Sequence, residues 1–192
     1  MRCKKENFIE GGIYHFYNRA VDGENLFRQT SDYLFLLNIL RQLQIKFNFS
    51  IFVYCLMPNH FHFLFRQDNQ IPLFHVFNNL FSRYVQQFNH QYQRRGCLFQ
   101  GKLQHKSITD EKYLLAVCQY IHFNPIKAGL VRELDNWPYS NYLEWIGKRH
   151  GVLFCPEIRD TYFPVPSDYA AQIEEYRKYS EKSDFIDLLH DF

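Results

Sequence analysis

The sequence predicts an α+β domain with an antiparallel sheet of four to five strands and helices packed mainly on one face. Segments with the composition of strands alternate with longer segments whose apolar residues recur at helical spacing, in the order β-α-β-β-α-β-α. Two of the strands are separated by a Pro-Asn turn, which can join antiparallel neighbours but is too short for a parallel crossover.

The first strand and the first helix are marked by composition and capping. Residues 12–21, GIYHFYNRAV, follow a glycine and are rich in β-branched and aromatic residues, which favours a strand. A helix is predicted over 32–47, where leucines recur at helical spacing and Thr30 or Ser31 can cap its start.

A hairpin and a second helix follow. Residues 49–56, FSIFVYCL, and 60–66 are predicted strands, joined by a turn or bulge at Pro58 and Asn59. A helix is predicted over 72–92 because its apolar residues again follow helical spacing.

The second half of the body supplies the last strand and a third helix. Alternation from Leu98 onward predicts a fourth strand. A helix capped by Thr109 or Asp110 is expected to run to about residue 123. Pro125 is expected to end it, because the residue before a proline is pushed out of helical geometry.

The C-terminal part differs in pattern and in charge. Short helices are predicted near 140–147 and 167–181, the second one acidic. The chain is therefore divided into a main domain, residues 1–150, and an acidic extension, residues 151–192, which is expected to pack on the domain or cover it. The extension also fits a dimer element or an acidic flap over the basic surface.

Charge is distributed unevenly along the chain. Residues 1–150 hold 18 Lys and Arg against 11 Asp and Glu, a net charge of +7, whereas residues 151–192 hold 4 against 9, a net charge of −5. A basic body suits a phosphate-rich partner, although ordinary surface charge explains the same numbers. Aromatic residues make up 19% of the chain, and those outside the core could stack on unpaired bases.

The sequence has no pattern typical of a membrane or secreted protein. No stretch approaches the roughly 18 uninterrupted apolar residues of a membrane span, and the basic N-terminus lacks the apolar part of a signal peptide. The five cysteines are far apart and include no CxxC pair, which argues against a disulfide framework. We expect a cytoplasmic protein without a membrane partner.

Two histidines interrupt the apolar segment YCLMPNHFHFLF, residues 54–65. Successive side chains of a strand point to opposite faces, so His60 and His62 project from one face and Phe61 from the other. Two neutral imidazoles placed in this way can bind one divalent metal ion, provided that a third ligand is nearby. The alternative is a histidine pair satisfied by ordinary hydrogen bonds.

The segment YLLAVCQYIHFNP, residues 113–125, offers a nucleophile and a third ligand. Tyr113, Tyr120 and Asn124 share one stripe of the predicted helix, and the last two are four residues apart and therefore neighbours. His122 projects to nearly the opposite side from Tyr120. A phenol beside an amide, facing the histidine pair, would place a nucleophile beside a metal. Spacing alone does not choose between the two tyrosines.

Several segments together resemble one family. YCLMPNHFHFLF resembles the HUH motif of the single-tyrosine transposases, and the likeness is strongest to the REP-associated tyrosine transposase branch. The segments GGIYHFYNRA, SRYVQQFNHQYQRRGCLFQGKLQHKSI, YLLAVCQYIHFNPIKAGLV and NWPYSNY resemble that branch in the same order. The resemblance spans about residues 8–145, and Ala20 stands where the family often has glycine.

This resemblance implies a ferredoxin-like HUH fold and an enzyme that cuts and rejoins single-stranded or hairpin DNA through a 5′-phosphotyrosine intermediate. It favours Tyr120 as the nucleophile and His60, His62 and Asn124 as metal ligands. Two imidazoles and one amide suit Mg²⁺ or Mn²⁺ with water completing the coordination. Both a monomer and a homodimer are compatible, since related transposases can exchange the nucleophile helix between subunits.

Basic residues on the second helix, after it and along the fourth strand are candidates for contacts with the DNA backbone. Alternation from Leu98 onward is expected to put the lysines on one strand face. A solvated edge strand that uses lysine against aggregation is the competing explanation. The predicted DNA-binding residues are Arg83, Arg94, Arg95, Lys102 and Lys106.

Two other functions fit the same residues. One is a non-catalytic module that binds hairpin DNA or RNA. The other is a metal-dependent phosphodiesterase that uses water as its nucleophile, with Tyr120 only packing or positioning.

Overall fold

One four-stranded antiparallel sheet organises the protein. In the computed structural model, which describes residues 8–182, the strands are β1 (Ile13–Arg19), β2 (Phe49–Leu56), β3 (His60–Gln67) and β4 (Gln104–Ile108). Their order is β2-β3-β1-β4, so the strand that carries the two histidines lies inside the sheet beside β1. The predicted α+β class and antiparallel sheet are confirmed.

Six α-helices accompany the sheet in the described part of the chain. They are α1 (Thr30–Phe47), α2 (Leu73–Gln91), α3 (Glu111–Lys127), α4 (Tyr142–Trp145), α5 (Glu157–Tyr162) and α6 (Pro166–Lys182). The sequence pattern predicts all of them except α5, whose six residues are too few for a periodicity to show. None of the described helices combines the length and apolar character needed to cross a membrane.

The helices cover both faces of the sheet, which corrects the expectation that they pack mainly on one. Helices α1 and α2 pack on the face that carries Phe61, Phe63 and Phe65, whereas α3 and α6 pack on the face that carries Leu64. The reason is visible in β2, where residues 51–56 are all buried. A strand with apolar side chains on both sides needs apolar cover on both faces.

The fourth strand begins later than alternation predicts. Residues 98–103 form a loop, and β4 starts at Gln104. Within the loop Gly101 has a φ of 73°, a left-handed conformation that interrupts the extended backbone. Lys102 therefore lies outside the strand and does not share a strand face with Lys106.

Helix α3 continues past Pro125 to Lys127, although the proline was expected to end it. A proline removes one hydrogen-bond donor, and here that loss falls in the last turn, where the helix ends shortly afterwards. The side-chain amide of Asn124 donates to the Tyr120 carbonyl oxygen at 2.9 Å. Asn124 thus keeps its helical geometry and stays on the same stripe as Tyr120.

The segment around α4 closes the free edge of β2. The Asn141 side chain accepts from the Tyr54 backbone N–H and donates to the Phe52 carbonyl, both at 2.8 Å, as a neighbouring strand would. Trp145 Nε1 also donates to the Phe52 carbonyl, at 2.9 Å. These bonds satisfy backbone groups that an open sheet edge would leave exposed.

A buried histidine joins α3 to this segment and to α6. His122 Nε2 lies 3.1 Å from Asn141 Oδ1, and His122 Nδ1 lies 2.7 Å from the Tyr169 hydroxyl of α6. Burial lowers the pKa of His122 to about 3, so the ring is neutral. A neutral ring donates from Nε2 to the amide oxygen and accepts the tyrosine proton at Nδ1, which holds α3 from two sides.

The described part of the C-terminal extension shares a core with α3. Ile158, Phe163, Tyr169 and Ile173 are buried against residues of α3 on the same face of the sheet. Residues 183–192 lie outside the described residues. The division of the chain at residue 150 stays a prediction, as does any role of the extension over the basic surface.

The His122 contacts generate a prediction about pH and stability. We expect His122→Gln to lower the free energy of unfolding by about 1–2 kcal/mol at neutral pH, because two buried hydrogen bonds are weakened. The difference in the free energy of unfolding between the variant and the wild type should then narrow as the pH falls. Below about pH 6.5 His122 is protonated in unfolded wild-type chains but not in folded ones, where its pKa is about 3. The wild type therefore loses stability as the pH falls.

Urea unfolding at about pH 7.5, 6 and 5 measures this gap, which should shrink by at most about 1.4 kcal/mol per pH unit. Glutamine does not titrate, and both proteins keep every other histidine, so the difference isolates His122. A gap that stays constant over this range would contradict a neutral buried His122.

Candidate active site

Two elements bring the predicted site residues together. His60 and His62 lie at the start of β3, on the sheet face that α3 covers. Tyr120 and Asn124 lie one turn apart on α3. The sheet supplies the imidazoles and the helix supplies the phenol and the amide, so the site depends on how α3 packs.

The rings of the site stand at steep angles to one another. The centroids of His62 and Tyr120 are 5.4 Å apart with an interplanar angle of 79°. The centroids of His60 and His62 are 5.2 Å apart at 82°. The side chain of Asn124 lies close enough to interact with both the His60 ring and the Tyr120 phenol. The amide therefore connects the imidazole pair to the phenol.

Hydrogen bonds orient the side chains whose atoms would bind a metal ion. Asn124 Nδ2 donates to the Tyr120 carbonyl oxygen, so the amide oxygen is not used in that bond. His60 Nδ1 lies 2.8 Å from Asn59 Oδ1. A ring that donates to this oxygen from Nδ1 keeps a lone pair at Nε2. An amide oxygen and an imidazole lone pair are both able to ligate a cation.

Both imidazoles of the HxH pair are neutral. Burial lowers the pKa of His60, and the positive charge of Arg19 lowers it further. Burial also lowers the pKa of His62 well below 6.5, with smaller contributions from nearby charges that include Lys127. The neutral form is the one that binds metal ions.

The proposed nucleophile is almost enclosed. Tyr120 is 7% exposed, and burial raises its pKa to about 12, while the hydrogen bond with Asn124 acts in the opposite direction. A phenol with this pKa is almost fully protonated at neutral pH, so its activation needs positive charge nearby. Lys127 Nζ lies 5.5 Å from the centre of the Tyr120 ring.

The donor set fits a hard divalent cation. Two imidazole nitrogens and one amide oxygen leave coordination positions for water or phosphate oxygens, as a catalytic site requires. Across residues 8–182 no three His, Cys, Asp or Glu side chains are grouped so that they could hold a metal ion. The oxygen of Asn124 is therefore needed to complete the set, and the choice of Mg²⁺ or Mn²⁺ stays a prediction.

Two of the predicted DNA-binding arginines have structural contacts away from the histidines. Arg83 lies on α2, across the sheet from His62, and donates to Gln42 of α1 at 2.8 Å. Arg94 is half-buried and forms an ion pair with Glu24 at 2.8 Å. Neither residue is brought to the imidazole pair.

The other three predicted DNA-binding residues are more accessible or nearer to the site. Arg95 and Lys102 are exposed in loops. Lys106 lies on β4 opposite His15 of β1, on the sheet face that carries the histidines, and its Nζ is 5.2 Å from the Tyr113 ring centre. Strand register thus connects Lys106, but not the loop residues, to the site.

Two basic residues that the sequence did not single out flank the site. Arg19 ends β1 and lies directly opposite His60 in the strand register. Lys127 follows Tyr120 by seven residues, which is two helical turns and hence the same side of α3. Its spacing was visible in the sequence, but the expected end of the helix at Pro125 concealed it.

A third histidine also belongs to the site. His15 of β1 is fully buried, and its Nε2 lies 3.0 Å from Nδ1 of His62. Its position could not be found from the sequence without the pairing of β1 with β3. Alternation along β1 alone shows only that it shares a face with Tyr17 and Arg19.

Comparisons with known proteins agree on one family. Residues 9–124 match the family described as "Transposase IS200 like". The chain is 27% identical over 149 residues to a Haemophilus influenzae protein named as a REP-associated tyrosine transposase, an alignment that covers 72% of this chain and 84% of that protein.

A solved structure has a similar fold. It is a REP-associated tyrosine transposase bound to a REP hairpin, with a TM-score of 0.61 and 19% identity, covering 81% of this chain and 92% of that one. The family match covers more than half of the chain and contains the imidazole pair, the phenol and the amide. The chain therefore belongs to the IS200-like transposase family.

Proposed function

We propose that this transposase cleaves and rejoins hairpin-bearing single-stranded DNA through a covalent bond between Tyr120 and a 5′ phosphate. A divalent metal ion would be held by His60, His62 and Asn124. The observation that supports this most is the contact of the Tyr120 ring with His62, at 5.4 Å between centroids. Asn124, which lies close to both the phenol and the imidazole of His60, completes the arrangement.

A displacement at phosphorus accounts for both cutting and rejoining. The Tyr120 oxygen bonds to phosphorus and the phenol releases its proton to solvent, while the bond from phosphorus to the 3′ oxygen breaks. The 3′ oxygen takes up a proton and becomes a free hydroxyl. The 5′ end stays on the tyrosine as a phosphodiester, so attack by a 3′ hydroxyl restores DNA without ATP. Mg²⁺ or Mn²⁺ would supply Lewis-acid stabilisation of charge on the phosphate.

The proposed reaction needs positive groups that offset the burial of the phenol. With a pKa of about 12, only about one phenol in ten thousand is ionised at pH 8 without assistance. Lys127 beside the ring favours the phenolate and also favours a bound phosphate. Arg19, opposite His60, adds a second cation at the same end of the sheet.

The substrate class follows from a relative and from charge. The REP-associated tyrosine transposase of similar fold is bound to a REP hairpin. In this chain Arg19, Lys106 and Lys127 lie on or beside the face that carries the imidazoles, where they could contact the backbone of such a hairpin. Arg95 and Lys102, exposed in loops, are further candidates.

The covalent intermediate gives the first test of this proposal. Labelled hairpin DNA incubated with protein and Mn²⁺ should yield an adduct that survives a denaturing gel. Tyr120→Phe should lower its yield by about 10³-fold or more, because phenylalanine lacks the attacking oxygen. Hairpin binding measured in chelator should change little.

Tyr113→Phe is the matched control, since Tyr113 lies on the same helix and is the other tyrosine that spacing allows. It should keep the adduct. An equal adduct yield in Tyr120→Phe would contradict the proposal. Free 5′ and 3′ ends without adduct would indicate a phosphodiesterase, and a mobility shift alone would indicate a binding module.

The metal site gives the second test. His60→Ala and His62→Ala should each lower Mn²⁺-dependent cleavage by about 100-fold, because a lost ligand weakens metal binding. His75→Ala, an exposed histidine on α2, should leave cleavage unchanged. Circular dichroism checks that the variants are folded. Cleavage by the two ligand variants that matches the wild type in Mn²⁺ would argue against the site.

The flanking cations give the third test. Lys127→Ala should weaken hairpin binding and reduce the slope of log affinity against log salt by about 0.7 to 1, the value for one lost phosphate contact. Lys46→Ala is the control, because Lys46 also lies in the last turn of a helix, but on α1 across the sheet. Fluorescence anisotropy over a range of salt concentrations measures both slopes. Identical slopes for the two variants would remove Lys127 from the DNA interface.

A further inference from the structure

A buried pair of imidazoles links β1 to β3 behind the site. His15 and His62 lie on the same sheet face of neighbouring antiparallel strands, where His62 pairs with Tyr17 and His15 with Leu64. His15 is 0% exposed and His62 is 3% exposed. His15 Nε2 and His62 Nδ1 are 3.0 Å apart, and the two rings are nearly parallel, with centroids at 5.2 Å and an angle of 27°.

We propose that His15 is a positioning residue for His62. By accepting the Nδ1 proton of His62, it fixes the tautomer and the ring orientation that present Nε2 of His62 to the metal ion. This inference rests on the proposed metal site, because a positioning role has meaning only if His62 is a ligand.

The hydrogen bond requires one donor and one acceptor. Burial, and then the charge of Lys106, lowers the pKa of His15 to about 3. The pKa of His62 is also well below its ordinary value, mainly because of burial. Both rings are therefore neutral at neutral pH, and the contact at 3.0 Å is an N–H to N hydrogen bond that can run in either direction.

Only one direction is compatible with metal binding. If His62 donates from Nδ1, its Nε2 carries a lone pair on the opposite edge of the ring, away from His15 and available to a cation. If His15 donates instead, Nε2 of His62 is protonated and cannot ligate. The proposed role makes His15 the acceptor, so that His62 already has the binding-competent tautomer before any metal ion binds.

Lys106 lies directly opposite His15 in the register of β1 and β4. Its positive charge acts against an imidazolium at His15, a form with no lone pair at Nε2 to accept from His62. A neutral imidazole such as His15 orients a metal-bound histidine in the way that a backbone carbonyl or carboxylate does elsewhere, but without adding negative charge.

The direct test is the tautomer of His62 in the metal-free protein. Nitrogen-15 NMR of the imidazoles should show His62 protonated at Nδ1 in the wild type. His15→Leu removes the acceptor while keeping an apolar side chain, and His62 should then shift toward the Nε2-protonated form. His15→Gln, whose Oε1 can replace the acceptor, should restore the wild-type tautomer. A merely structural role for His15 would leave the tautomer unchanged.

Metal affinity is the second readout and needs no DNA cleavage. Titration of Mn²⁺ followed by electron paramagnetic resonance should show affinity lowered by about 10- to 100-fold in His15→Leu and nearly restored in His15→Gln. Wild-type His62 protonated at Nε2, or Mn²⁺ affinity unchanged in His15→Leu, would overturn the inference. The wild-type tautomer is measured without substitution, so the inference can fail even if His15→Leu does not fold.

The two proposals fail separately. If the wild type forms no Tyr120 adduct but the tautomer and the Mn²⁺ affinity change as expected in His15→Leu, the positioning role of His15 stands and the proposed strand transfer is excluded. If the wild type forms the Tyr120 adduct but His15→Leu binds Mn²⁺ as tightly as the wild type, the proposed strand transfer stands and the positioning role of His15 is excluded.

Discussion

The packing of α3 on β3 is the constraint on which the site depends, because neither element carries a complete site. The strand provides only imidazoles, and the helix provides only the phenol and the amide. His122 holds α3 in place through Tyr169 on one side and Asn141 on the other. Asn141 also bonds to the backbone of β2. A chain of buried hydrogen bonds thus runs from the edge of the sheet to the helix that carries Tyr120.

Burial affects the proposed metal ligands and the proposed nucleophile in opposite senses. It favours the neutral form of each group, which is the metal-binding form of His60 and His62 but the unreactive form of Tyr120. The same enclosure that prepares the imidazoles therefore leaves the phenol dependent on cations. Lys127 lies 5.5 Å from the centre of the Tyr120 ring, at the C-terminal end of α3, where it also interacts favourably with the helix dipole.

Local sequence rules were enough to predict which residues the candidate site brings together, whereas its remaining contacts depend on which strands pair. Alternation put His60 and His62 on one face, and helical spacing made Tyr120 and Asn124 neighbours. Spacing left Tyr113 open, and only family resemblance favoured Tyr120. The bond from His15 to His62 depends on the register of β1 against β3, which the sequence does not encode locally. The loop at 98–103 escaped prediction because its left-handed glycine looks like any other within an alternating segment.

Net charge alone does not locate a phosphate-binding surface in this chain, because several of the cations form ion pairs within the fold. Arg94 pairs with Glu24, and Arg149 forms an ion pair with the buried Glu144. Such pairs hold loops and segments in place and present little charge to a polyanion. Arg19 and Lys127 are positioned differently, since each ends an element that carries or faces a residue of the candidate site. The place of a cation in the fold, rather than the total charge of the chain, therefore determines whether it lies beside that site.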